Sequence, residues 1–307
     1  MKLPLPNLWA GVLYRMDTKD KIRRISMEKT LSKYFAVFAL PTLIAFGISF
    51  LFPFIMGIYL SFTEFTTVTN STWVGLDNYT KAFFESPDFL NALWFTLKFT
   101  VVSVISINLI AFFMALLLTR GIKGTNIFRT VYFMPNLIGG IVLGYIWQLI
   151  INGVLLNFGV DITFKAEYGF WGLVILMNWQ MIGYMMIIYI AGIQNIPAEL
   201  NEAAEIDGAS SLQKLKSVTL PMIMPSITIC TFLTLTNSFK LFDQNFSLTA
   251  GAPGRQTSML ALDIYHTFYG RNGFEGVGQA KAVIFFLMVA AIAFIQLRLT
   301  RQKEVES

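Results

Sequence analysis

Five runs of this chain contain no Asp, Glu, Lys or Arg: residues 34–63, 99–119, 130–160, 168–198 and 217–239. A hydrocarbon core about 30 Å thick is crossed by about 20 helical residues, so each run is long enough to span it. A sixth run, 282–297, is short by itself. It becomes long enough if its helix begins near Gly278 and the Lys281 ammonium reaches back to the interface along its apolar stem. Closed barrels are the other spanning solution, and their strands alternate apolar and polar residues over about ten positions. These runs are continuously apolar instead. The expectation is an all-α integral membrane protein with six transmembrane helices.

Composition supports this reading. Hydrophobic residues make up 55% and charged residues 13% of the 307, against about 45–50% and about 25% in soluble domains. The single cysteine, Cys230, forms no internal disulfide and has no spaced partners for a metal or iron–sulfur site. A net charge of +5 is better explained by sidedness than by nucleic acid, because Lys and Arg concentrate on alternate loops. Eight precede residue 34, and the others are Arg120, Lys123 and Arg129, then Lys214 and Lys216, then Arg298, Arg301 and Lys303. The opposite loops hold only Lys81, Lys165, Arg255 and Arg271. The positive-inside rule therefore predicts both termini in the cytoplasm. The first run lies behind a basic segment and lacks a small-residue cleavage site, so it reads as a retained helix and not a signal peptide.

The resulting layout is a cytoplasmic segment 1–33, a first span 34–62, an outer loop 63–88, a membrane domain 89–298 and a tail 299–307. Within the membrane domain the helices are expected at about 94–118, 131–151, 169–193, 222–241 and 278–298, with a cytoplasmic loop 194–221 between the fourth and fifth. Pro135 with Gly139 and Gly140, and Pro225, are candidate bends. For the two glycines close helix packing is the preferred explanation.

No phosphate-binding glycine loop and no nucleophile elbow is present, and the lone His266 lacks neighbours that could share a metal. The chain thus reads as a non-enzyme with no cofactor of its own. Loop 194–221 is more informative. Pro197 suits a first helical position, Glu199 and Glu202 suit a positive helix end, and Gly208 suits the left-handed position after a helix. Ser210 with Gln213 makes a capping box for a second short helix that Pro221 should end. Glu199, Glu202 and Glu205 repel one another weakly unless cations face them. Ala203 and Ala204 leave the backbone open to close approach.

This segment resembles the Glu-Ala-Ala-x3-Gly-x9-Ile-x-Leu-Pro pattern of permease subunits in binding-protein-dependent ABC importers. Glu202, Ala203, Ala204, Gly208, Leu220 and Pro221 match at the right spacing, and Val218 takes the isoleucine place. Phe52-Pro53, Ser61-Phe62-Thr63, Val74-Gly-Leu-Asp-Asn-Tyr79 and Leu248-Thr-Ala-Gly-Ala-Pro-Gly254 look like the sugar branch of the maltose and multiple-sugar kind. The resemblance implies type I importer architecture in a bacterial plasma membrane. It further implies that 202–208 form a coupling helix docked in a cytoplasmic ATPase dimer, which would bind ATP and Mg. A second homologous permease and an extracytoplasmic solute-binding protein would complete the assembly, and this chain would form half of the path for a sugar.

Candidate path residues are the deep polar and aromatic groups Gln148, Asn178, Trp179, Tyr184 and Asn237, with Gln180, Thr234, Thr236 and Trp147 in the same runs. Lys240, Asp243 and Gln244 stand at the outer end of the fifth span. Amides both donate to and accept from sugar hydroxyls, and aromatic faces cover apolar sugar faces. The same groups also serve interhelical hydrogen bonding and interfacial solvation. The alternative of another class is an ion-coupled secondary transporter of a small neutral solute. Such coupling generally uses ionisable groups or unwound backbone at the midplane.

Overall fold

The computed structural model describes residues 34, 35, 37–67 and 69–301. Segments 1–33 and 302–307, both expected in the cytoplasm, lie outside the described residues. The chain divides into two compact units, 1–59 and 60–307. Among its described residues the first holds the helix α1 (Leu40–Leu60), except for that helix's last residue. Pro53 cannot donate a backbone hydrogen bond, and its ring crowds the carbonyl one turn back. A π turn over Gly47–Leu51 absorbs the defect, with the Phe52 N–H bonded to the Gly47 carbonyl. Phe46, Phe50 and Phe54 stack in succession at 5.1 and 6.0 Å.

The second unit opens with a feature the apolar runs do not announce, an antiparallel hairpin of β1 (Thr63–Thr67) and β2 (Asn70–Trp73). Its base is pinned by Asn78, whose amide donates to the carbonyls of Ser61 at 3.0 Å and Thr63 at 2.8 Å. Ser61 and Tyr79 hydroxyls meet at 2.7 Å. Asn78 and Tyr79 thereby lock the base of the hairpin.

Helix α2 (Pro87–Leu118) begins earlier than the expected 94. Pro87 fits a first turn, where its missing N–H is no loss, and Asp88 favours the positive helix end. The charge of Asp88 is answered by Arg255 and Arg271, each 3.0 Å from the same carboxylate oxygen. Charge ended the apolar run without ending the helix.

The single helix expected over 131–151 is two helices. α3 (Thr125–Phe133) runs into a 3-10 turn at Met134–Leu137, and α4 (Gly140–Leu155) starts afresh. Pro135 sits in the 3-10 turn, and Ile138 and Gly139 adopt extended ψ angles of 130° and 139°. Of the two glycines, only Gly140 is tightly packed, its Cα facing Asp243, whereas Gly139 faces open space. α3 lies across α5 (Ala166–Gln194), where a Cβ at Gly183 would collide with the Tyr132 carbonyl.

α5 is the centre of the unit, with Leu173, Leu176, Met185 and Met186 fully enclosed, and it packs along α2. In lipid, apolar side chains gain little from leaving a solvent as oily as themselves, so packing and interhelical hydrogen bonds hold helices together. Asn108 is such a tie. Its Nδ2 donates to Thr234 Oγ1 at 2.9 Å, and its Oδ1 accepts from Tyr189 Oη at 2.8 Å. Three helices meet at this one amide.

After α5 come α6 (Ala198–Ile206) and α7 (Ser211–Met222), then α8 (Met224–Phe239), bent 70° from α7. The expectation that Pro221 ends the second short helix fails. A π turn over Leu215–Thr219 carries the helix past the proline, and the bend falls at Ile223, where φ is −91° and ψ is 9°. A short α9 (Asp243–Leu248), α10 (Leu260–Gly270) and α11 (Glu275–Arg301) complete the unit. Among the described residues five helices are long and apolar enough to cross a membrane, and the bent α7–α8 pair makes a sixth if it is one span.

Lys281 does not reach for the interface. It is enclosed, 1% exposed, with Asp263 at 2.8 Å, Thr267 Oγ1 at 2.9 Å and the Phe89 ring beneath it at 5.3 Å. Two interior partners on α10 satisfy the ammonium better than a stretched stem would.

Candidate functional site

The coupling pattern separates into two places. Glu202, Ala203 and Gly208 are exposed on and after α6, with Ala204 half-buried beside them. α6 closes by a Schellman motif: the Gly208 N–H donates to Glu205 O at 3.0 Å, and the Ala209 N–H to Ala204 O at 2.9 Å. Gly208 takes φ +72°, a left-handed angle that a glycine adopts without cost. Pro197 stands one position ahead of the expected first helical site, at the cap. Ser210 then forms the capping box with Gln213, its backbone N–H donating to Gln213 Oε1 at 2.7 Å.

The acidic stripe has a partner within the chain. Lys214 Nζ lies 2.7 Å from Glu205 Oε1, and this hydrogen bond and its charge hold the Glu205 carboxyl below the usual carboxylate range. Glu202 remains exposed. Ile206 projects with 87% of its surface exposed, and Leu200 and Leu212 in the same loop are exposed too. Local capping therefore presents an acidic and apolar tip in fixed form.

Leu220 and Pro221 are not at this tip. They stand where α7 bends into α8, and Pro221 lines a cavity of about 380 Å³ with Pro197 and Pro225. Gly192 allows α5 to touch α8 there, since a Cβ would overlap Ser226 Oγ.

A second cavity, about 340 Å³, lies between α5, the end of α8 and the start of α9. Ligand pockets run from about 300 to 1,000 Å³, so it is small but of usable size. Tyr184, Asn237, Lys240, Asp243 and Gln244, all expected path residues, line it together. Gln148, Asn178 and Trp179 do not. Gln148 donates to the Leu248 carbonyl at 2.9 Å, Asn178 donates to Ser106 Oγ at 2.9 Å, and Trp179 packs edge-on against Trp147 at 5.6 Å. These three hold the scaffold in this structure.

Two further amides line it, Gln180, named among the deep polar groups, and Asn136, which the sequence did not single out. Gln180 accepts from Gln244 Nε2 at 2.7 Å. Its own Nε2 donates to the Ile138 carbonyl at 3.4 Å, in the extended break ahead of α4. Asn136 follows Pro135 in the 3-10 turn, so the proline was the available signal. With one ammonium and one carboxylate on the lining, the charged groups balance, and the amides supply neutral donors and acceptors. Among the described residues no His, Cys, Asp and Glu cluster could hold a metal. His266 is half-buried on α10, where burial and the nearby Arg255 push its imidazole pKa down.

A bundle of apolar helices around a polar cavity, with a capped loop beyond it, is the build of a membrane transport subunit. The chain belongs to the family of binding-protein-dependent transport system inner membrane components, whose pattern it matches over residues 107–304. It is similar to the probable starch degradation products transport system permease protein AmyD of Thermoanaerobacterium thermosulfurigenes, 46% identical over 89% of this chain and 96% of that one. It is also similar to the multiple sugar-binding transport system permease protein MsmF of Streptococcus mutans, 31% identical over 92% of this chain and all of that one. Its fold matches a chain of a bacterial ABC transporter involved in the import of the acidic polysaccharide alginate, with a TM-score of 0.75 at 20% identity over 90% of this chain and 99% of that one. The protein is thus a permease subunit of a binding-protein-dependent importer, a multi-pass protein of the bacterial inner membrane with type I importer architecture. This family membership displaces the ion-coupled alternative.

Proposed function

We propose that this chain forms one half of the translocation path for a neutral sugar or oligosaccharide, with a second homologous permease as the other half. A cytoplasmic ATPase dimer, carrying ATP and Mg, receives the 202–208 tip, and an extracytoplasmic solute-binding protein delivers the sugar. The observation that carries the reading is the lining of the 340 Å³ cavity, where Asn136, Gln180, Asn237 and Gln244 offer amides beside the Tyr184 ring and hydroxyl. Such groups match hydroxyls in both senses and leave no net charge for an ion to seek. The names of the relatives AmyD and MsmF, for starch degradation products and multiple sugars, agree with this chemistry. At the other end, ATP-driven closure would move α6 as a rigid body, and the capped turn would pass that motion into α5 and α8.

The test is purification of the tagged chain from its native membrane, with and without Glu202→Lys, and uptake of glucose oligosaccharides by the reconstituted assembly. The expected result is co-purification of an ATPase and a second permease, weakened by Glu202→Lys, and ATP-dependent uptake that Asn237→Leu reduces about tenfold or more. Uptake by the isolated chain without an ATPase would refute the reading.

A further inference from the structure

Helix α9 has only six residues, yet it is held on several sides. Gly140 and Gly144 lie one turn apart on α4, facing it. A Cβ at Gly140 would stand 2.6 Å from Asp243 Cβ and 3.0 Å from Gln244 Oε1. A Cβ at Gly144 would overlap Ser247 Oγ and stand 3.1 Å from Ser247 Cβ and 3.2 Å from the Gln244 carbonyl. One turn further, Gln148 donates to the Leu248 carbonyl. From the other side Asn245, fully enclosed, accepts from the Met259 N–H at 2.9 Å and donates to Thr257 O at 2.8 Å.

The geometry points to Gly140 and Gly144 as positioning residues that set which sugars pass. Neither has a side chain to touch substrate. They let α9 sit so close to α4 that Asp243 and Gln244 form one wall of the cavity, with Gln244 2.7 Å from Gln180. A side chain at 144 drives α9 back chiefly through Ser247, whose Oγ it overlaps, and Gln244 on the same short helix moves with it. The amide pair then opens, and the donors and acceptors facing a sugar shift relative to those fixed on α5 and α8. A site that recognises hydroxyls by hydrogen bonding discriminates through such placement, so selectivity should change more than capacity. The inference rests on the reading of this cavity as a sugar path.

The experiment uses the complete importer, binding protein included, in vesicles supplied with labelled maltose, maltotriose and maltotetraose. Gly144→Ala is compared with the wild type and with Gly144→Ala/Ser247→Gly, which removes both Ser247 atoms that the new Cβ meets. Gly144→Ala is expected to assemble, to keep its ATPase stimulation by the loaded binding protein, and to change the maltose to maltotetraose uptake ratio about tenfold. The double variant should return the ratio to within about twofold of the wild type, the close contact being relieved. An unchanged ratio in Gly144→Ala, or a change that Ser247→Gly leaves standing, overturns the seating role. Should Gly144→Ala fail to assemble, Gln244→Leu carries the test: it removes the amide without touching α4, and a wild-type ratio in that variant overturns the proposal. Wild-type vesicles that take up neither these three sugars nor any of a panel of other neutral mono- and oligosaccharides overturn the sugar reading itself, which is a different result from a transporting wild type with an unaltered Gly144→Ala.

Discussion

Replacing Lys281 by methionine should destabilise the α10–α11 hairpin by about 3–5 kcal/mol, the range seen when one partner of an enclosed ion pair is removed. The figure follows from the surroundings. Both side chains are 1% exposed, so neither charge gains water when its partner goes. Asp263 Oδ1 already has no hydrogen-bond partner, and Oδ2 accepts only the 2.8 Å bond from Lys281. Methionine fills the stem's volume beside Phe89, which isolates the electrostatic loss from a packing loss. Lys281→Met/Asp263→Leu should recover most of the stability, because removing both charges also removes the desolvation penalty they carried. Thermal unfolding of the detergent-purified importer, with hydrogen exchange over residues 260–301, measures both. At about 1.4 kcal/mol per tenfold, the single variant should open this hairpin at least a hundredfold more often. A single variant as protected as the wild type, or a double variant no better than the single, would refute the argument that an unpaired enclosed carboxylate is what costs the energy.

Two further outcomes concern the α6 loop. Gly208→Val should leave insertion and assembly intact but uncouple ATP hydrolysis from uptake. A Cβ at Gly208 meets no atom, so the effect is purely the strain of φ +72° in a β-branched residue, about 1–2 kcal/mol, and normal uptake would count against a fixed turn. The Glu205–Lys214 pair should be pH-dependent in one direction. The Glu205 carboxyl is depressed by Lys214, so the pair is intact above the ordinary carboxylate range and is lost as pH falls through the lowered value. Carboxyl-labelled NMR of Lys214→Met should move the Glu205 titration upward, and an unmoved midpoint would show that the pair does not form.

The spans and the α6 loop were legible in the sequence for related reasons. Whether a stretch of about 20 residues tolerates hydrocarbon depends on its own side chains, and a capping box or a left-handed glycine acts within one turn. Ser210, Gln213 and Gly208 accordingly stand as their spacing implies. What the tertiary structure alone decided is where polar side chains find partners, because those partners are far away in the chain. The charge of Asp88, at the start of α2, is answered by Arg255 and Arg271, 167 and 183 positions on. Lys281 turns inward because Asp263 waits on the neighbouring helix, and Gln148 and Asn178 serve the scaffold because a carbonyl and a hydroxyl of other helices lie within reach. The break at Met134–Leu137 brings Asn136 to the cavity, while Gly140 and Gly144 bring Gln244 to Gln180. Apolar length is a property of a segment facing its solvent, whereas a hydrogen bond between helices exists only once the helices have met.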